Sequence, residues 1–125
     1  MPVPYLTGRL RSFGHAFRGL KVLVQTQQNA RIHAVAAVLV IGAGALLRIS
    51  SIEWALIAIA ILCVWVAEAL NTAIEFVVDL VSPDHHALAA KAKDVAAGAV
   101  LVAAIGSVVV GALVFGPHVL GMLGR

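Results

Sequence analysis

Three stretches of this chain run almost without charge: residues 32–47 between Arg31 and Arg48, residues 54–78 interrupted by Glu68 and Glu75, and residues 95–123, which carry none. Each reads as a helix able to cross a bilayer, although the first falls short of the roughly 20 residues a span needs and must borrow from its flanks. The excess of Ala, Val, Ile and Leu over aromatics favours helices over a membrane β-barrel. We therefore expect spans at about 30–48, 53–79 and 94–120. Ahead of them, Leu10, Phe13, Phe17, Leu20 and Val24 recur at three- and four-residue spacing among Arg9, Arg11, Arg18 and Lys21, with no acid before Arg31. That pattern describes an amphipathic helix over about 8–28, lying on an anionic membrane surface; a soluble helix capping the bundle is the alternative.

Composition agrees. The 125 residues are 62% hydrophobic and 12% charged, with a mean hydropathy of +1.01, against roughly 25% charged in soluble domains. One membrane-embedded unit of 1–125 is expected, with no cleaved leader, because a long basic stretch precedes the first apolar run. The single cysteine, Cys63, excludes a disulfide framework and reads as packing filler. In the third span Ala99, Ala103, Ser107 and Gly111 form a stripe of small side chains of the kind that lets helices approach closely in lipid.

The second span raises the chemical question. Its segment EALNTAIEFVVD places Glu68, Asn71, Thr72, Glu75 and Asp79 within one arc of roughly 100° on a helix. A charged side chain at the bilayer centre costs at least ~2.5 to 3.5 kcal/mol, so such acids face a bundle interior, a cation or water and mark a functional site by default. Counting ~1.5 Å per residue from Trp54, Glu68 lies ~21 Å into the span and Glu75 ~31 Å, near the far surface. A deep base for a lipid hydroxyl and a shallow ligand for Mg²⁺ would suit that spacing. The plain alternative is that the acids only pair with bundle cations such as Arg31 or Lys93. No P-loop or dinucleotide fingerprint occurs, and the five histidines show no metal-binding spacing, which leaves most of them as scattered interfacial residues. Lys93 and Asp94, at the expected start of the third span, could meet phosphate or simply anchor the interface.

EALNTAIEFVVDL together with AKDVAAGAVLV, joined through DHHALAAK and preceded by NARIH, resembles the prokaryotic diacylglycerol kinase and undecaprenol kinase family of small membrane lipid kinases. The resemblance covers about residues 9–115. It implies an all-α homotrimer of three-span subunits at the prokaryotic inner membrane, transferring the γ-phosphate of ATP to a lipid alcohol with Mg²⁺. By position it implies Glu68 as general base, Asn71 as an organising residue, Glu75 as a metal ligand, and Asp79, His86, Lys93 and Asp94 around the nucleotide. Two positions depart from the family pattern. Gln27 stands where a glutamate shares the metal with the residue matching Glu75, and His15 stands where a tyrosine lies near the nucleotide. Gln27 removes one negative charge from a hard-cation site. It keeps a catalytically degenerate lipid-binding or regulatory protein open beside the kinase, and the acids alone would also allow a small ion or proton pathway. Undecaprenol is favoured over diacylglycerol on N-x-R-I-H and V-D-L-V.

Lys and Arg gather in the N-terminal stretch and at Lys91 and Lys93, which the positive-inside rule assigns to the cytoplasm. A reporter fused at the C-terminus is expected to read as external, and one inserted in the 80–92 stretch as cytoplasmic. Two cytoplasmic readings would overturn a three-span topology.

Overall fold

The computed structural model describes residues 5–124. They form four helices: α1 (Tyr5–Thr26), α2 (Gln28–Leu47), α3 (Ser51–Val81) and α4 (Ala87–Leu123), with no strand among the described residues. α2, α3 and α4 are each long and apolar enough to cross a membrane. The all-α membrane architecture expected from the hydropathy pattern is the one found.

The first break falls two residues earlier than the pattern suggested. Thr26 turns its hydroxyl back onto the Val22 carbonyl at 2.8 Å, a bond that bends helices, and Gln27 is extended at φ −106°, ψ 118° before α2 starts. The apolar positions of α1 stay outward. Phe13 and Phe17 are largely exposed, while Leu23 is buried against the bundle.

α3 and α4 form an antiparallel hairpin tied at three levels. Glu53 Oε1 meets His118 Nε2 at 3.0 Å near one end. Ser107 shares its hydroxyl between the carbonyls of Ala60 (3.1 Å) and Ala103 (2.9 Å) midway. Lys93 Nζ donates to Asp79 Oδ1 at 2.6 Å near the other end. Between the ties Ile57 and Val64 of α3 and Ala96, Val100 and Val114 of α4 are buried. In lipid, helices associate through close packing and interhelical hydrogen bonds rather than the hydrophobic effect, which accounts for so small a buried core. Of the small-residue stripe, Ala103, Ser107 and Gly111 are partly buried, whereas Ala99 is exposed. Cys63 is also exposed, so it does not fill the core.

The connection from α3 to α4 is shorter than the charge pattern suggested, because α4 begins at Ala87. His86 is its N-cap, with Nδ1 accepting from the Leu88 amide at 3.1 Å. Lys91, Lys93 and Asp94 therefore stand in the first two turns of a helix, not in a loop or at its first residue.

The α2–α3 corner is as tightly specified. Arg48 adopts the left-handed region at φ 53°, and the Ile49 amide closes onto the Gly44 carbonyl at 3.2 Å. Ser50 and Glu53 then form a reciprocal capping box. Gly44 lies under Trp54: a Cβ there would stand 2.8 Å from Trp54 Cη2. Gly44→Ala should lower stability by about 1–3 kcal/mol, the usual cost of overpacking, read as a fall in the thermal unfolding midpoint in micelles. Gly42→Ala, where a Cβ meets nothing within 4 Å, should leave the midpoint nearly unchanged. Equal midpoints in the two variants would show that the corner yields freely.

Candidate active site on the polar face of α3

The polar stripe of α3 exists as a gradient. Glu68 is 2% exposed, Thr72 4% and Asn71 8%; Glu75 is half-buried and Asp79 exposed. One helix face thus runs from a dry interior to water over about three turns. The helical period brings these side chains onto one line, and α1, α2 and α4 cover it to different depths.

At the deep end, Thr72 spends its hydroxyl on the Glu68 main-chain carbonyl at 2.9 Å and leaves the carboxylate alone. His33 of α2 approaches it, with Nε2 3.2 Å from Glu68 Oε1. That distance meets the condition for an ion pair, yet no donor among the described residues is aligned for a hydrogen bond to this oxygen. The two observations are compatible, because the nitrogen is near while its direction is off-line. One turn along, the Asn71 amide donates to Glu75 Oε1 at 3.1 Å, and Asn71 Oδ1 is buried without a donor. Two acceptors, Glu68 Oε1 and Asn71 Oδ1, are thus held dry and unsatisfied near one another in sequence. Such groups cost about 1–3 kcal/mol each unless a partner arrives.

Two openings flank the stripe. At the deep end His33, Ala36, Ala37, Ile61, Val64 and Trp65 help line an apolar slot of about 100 Å³. At the shallow end Asp79, His86 and Lys93 border a polar cleft of about 230 Å³ together with Ser82, Asp84 and His85.

The structure therefore gathers Glu68, Asn71 and Glu75 on one face of α3, and Asp79, His86 and Lys93 around one cleft. It does not bring the remaining expected residues to them. His15 Nδ1 contacts Arg18 Nη2 at 2.5 Å on the exposed side of α1. The Gln27 amide donates to Thr26 Oγ1 at 3.4 Å, and no hydrogen bond links it to Glu75. Asp94 points outward from α4. Among the described residues no three His, Cys, Asp or Glu side chains converge as a metal cage.

His33 is the residue that sequence reasoning missed. The expectation that most of the histidines are scattered interfacial residues does not say which are exceptions; His33 and His118 each stand against a carboxylate of α3. The plain alternative, pairing of the acids with bundle cations, holds for Asp79 with Lys93 but not for Glu68 with the exposed Arg31. A usable signal was present: an ionisable residue inside a span calls for a partner in another span, and His33 lies inside the first.

Residues 14–115 match the family described as prokaryotic diacylglycerol kinase. The undecaprenol kinase of Bacillus subtilis is 47% identical over 107 residues, covering 86% of this chain and 87% of that protein. The diacylglycerol kinase of Synechocystis is 45% identical over 115 residues, covering 91% of this chain and 66% of that longer protein. The diacylglycerol kinase of Escherichia coli is 29% identical over 109 residues, 87% of this chain and 89% of its own. With its three membrane-crossing helices and its match over residues 14–115, the chain belongs to the prokaryotic diacylglycerol kinase family of membrane lipid kinases.

Proposed function

We propose that this protein transfers the γ-phosphate of ATP to the hydroxyl of a membrane lipid alcohol, with undecaprenol preferred to diacylglycerol and Glu68 as the general base. One observation supports the reading above all others: Glu68 is 2% exposed and its Oε1 lacks an aligned donor, and its neighbour His33 lines a slot whose walls are almost wholly apolar. A base placed there meets a hydroxyl carried by the bilayer. The preference for undecaprenol rests on Asn29–His33 and on the V-D-L-V run at 78–81; relatives of 47% and 45% identity carry the two different names.

In the reaction, Glu68 takes the proton of the lipid hydroxyl as its oxygen bonds to the γ-phosphorus, and the bond to the bridging oxygen of ADP breaks. Asn71 fixes Glu75 through its amide and keeps Oδ1 for a donor on the substrate. Lys93, held by Asp79 at 2.6 Å, faces the phosphates with His86; the roles of Asp94 and His15 near the nucleotide rest on the resemblance alone, since neither borders the polar cleft within the chain. Transfer of this kind needs mostly positioning and charge neutralisation, which few side chains can supply.

Mg²⁺ commonly takes one or two carboxylates plus substrate phosphates and water instead of an all-protein cage. The polar stripe fits that mode, since Asn71 occupies only Oε1 of Glu75. Glu75 would hold the ion, with the Gln27 carbonyl as a neutral second ligand. When bound, Mg²⁺ supplies charge neutralisation on the phosphates. The remaining parts of the proposal are a homotrimer and a plasma-membrane placement with the N-terminus cytoplasmic and the C-terminus external.

The test is incubation in micelles with labelled ATP, Mg²⁺ and either undecaprenol or diacylglycerol. Label is expected mainly on undecaprenol, and Glu68→Gln should cut the rate by about 10² to 10⁴ while nucleotide binding persists. Label chiefly on diacylglycerol would reverse the lipid preference. No label on either would favour the degenerate protein that Gln27 suggests, and wild-type turnover in Glu68→Gln would remove Glu68 from the mechanism.

A further inference from the structure

We propose that His33 is a positioning residue for Glu68: its ring N–H holds one carboxylate oxygen so that the other faces the lipid hydroxyl. The inference rests on the reading of Glu68 as base and adds a requirement to it. A carboxylate withdrawn from water is strongly disfavoured unless it is paired and hydrogen-bonded. Glu68 has a side-chain exposure of 3%, against 23% for His33.

Among the described residues only His33 brings a polar side-chain nitrogen of another helix to the Glu68 carboxylate. The other donors of the stripe and slot already have partners, apart from the second amide N–H of Asn71 and the indole N–H of Trp65, neither of which meets Glu68. Asn71 gives its amide to Glu75, and Thr72 gives its hydroxyl to a main-chain carbonyl. Lys93 is engaged by Asp79. Ser107, across the slot, donates to the carbonyls of Ala60 and Ala103. Arg31, two residues before His33, is exposed. Of the residues that bound the slot, His33 alone is titratable, the rest being alanine, valine, isoleucine, tryptophan, serine and glycine.

The imidazole nitrogen already lies 3.2 Å from Oε1. What it lacks is direction, which a ring rotation restores. Hydrogen bonds of catalytic groups are often poorly aligned in the free enzyme and tighten with substrate. Once aligned, the ring fixes Oε1 and presents Oε2 to the incoming hydroxyl. The proton then passes from the lipid oxygen to Oε2, that oxygen forms the bond to phosphorus, and the electron pair of the broken bond leaves with ADP. His33 neither gains nor loses a proton in this step.

A donor role and a packing role separate cleanly by substitution. His33→Leu fills the space without an N–H, whereas His33→Gln supplies an amide N–H at similar length. In the full-length protein in micelles, with labelled ATP and undecaprenol, His33→Leu should lower kcat by about 10- to 100-fold, the worth of one hydrogen bond to a charged group, with KM for ATP nearly unchanged. His33→Gln should keep most of the wild-type kcat. A leucine variant at wild-type kcat, or a glutamine variant as slow as leucine, would overturn the proposal. If the leucine variant does not fold, His33→Met provides the same contrast. Glu68→Gln measured in parallel separates the two levels: full turnover there removes the base itself, whereas its loss beside an unimpaired His33→Leu removes only the positioning role.

Discussion

A carboxylate kept from water inside a membrane helix is the constraint to which the other elements answer. Glu68 is 2% exposed, and lipid offers it neither hydration nor a donor, so protein must cover it and place a polar group beside it. α2 does the second, through His33. The hairpin of α3 with α4 gives α3 the fixed position that such a close approach from another helix requires.

The hairpin is itself held by polar contacts. His118 with Glu53, Ser107 with the Ala60 carbonyl, and Lys93 with Asp79 mark its two ends and its middle. Apolar surface cannot discriminate between helix registers in a solvent equally apolar, whereas hydrogen bonds and small-residue contacts can. Held in that register, the polar face of α3 passes from buried Glu68 through half-buried Glu75 to exposed Asp79. An apolar slot adjoins the dry end and a polar cleft the wet end. This polarity gradient matches a reaction between a lipid alcohol and a water-soluble nucleotide, the chemistry proposed for the chain.

Much of this was legible in residue order. Hydropathy alone located three spans, and helical periodicity alone put Glu68, Asn71, Thr72, Glu75 and Asp79 on one face, because both depend on local spacing. Helix ends were less legible: the break at Gln27 follows from a Thr26 hydroxyl turned inward, and the early start of α4 from a cap supplied by His86. His33 was missed because its meaning lies in a partner 35 positions away on another helix, which periodicity within one segment does not reveal. Cys63 and Ala99 were misread for the related reason that in a uniformly apolar helix composition does not say which face meets protein.

The central claim is that the acid of this site is reached from the bilayer. The most direct measurement compares a membrane-soluble carbodiimide with a water-soluble one on the full-length protein in lipid vesicles, with modified residues assigned by mass spectrometry. The account predicts that the membrane-soluble reagent alone modifies Glu68, that activity falls in step with modification, and that the lipid alcohol protects whereas ATP does not. Equal modification of Glu68 by the water-soluble reagent, or protection by ATP and not by lipid, would contradict it.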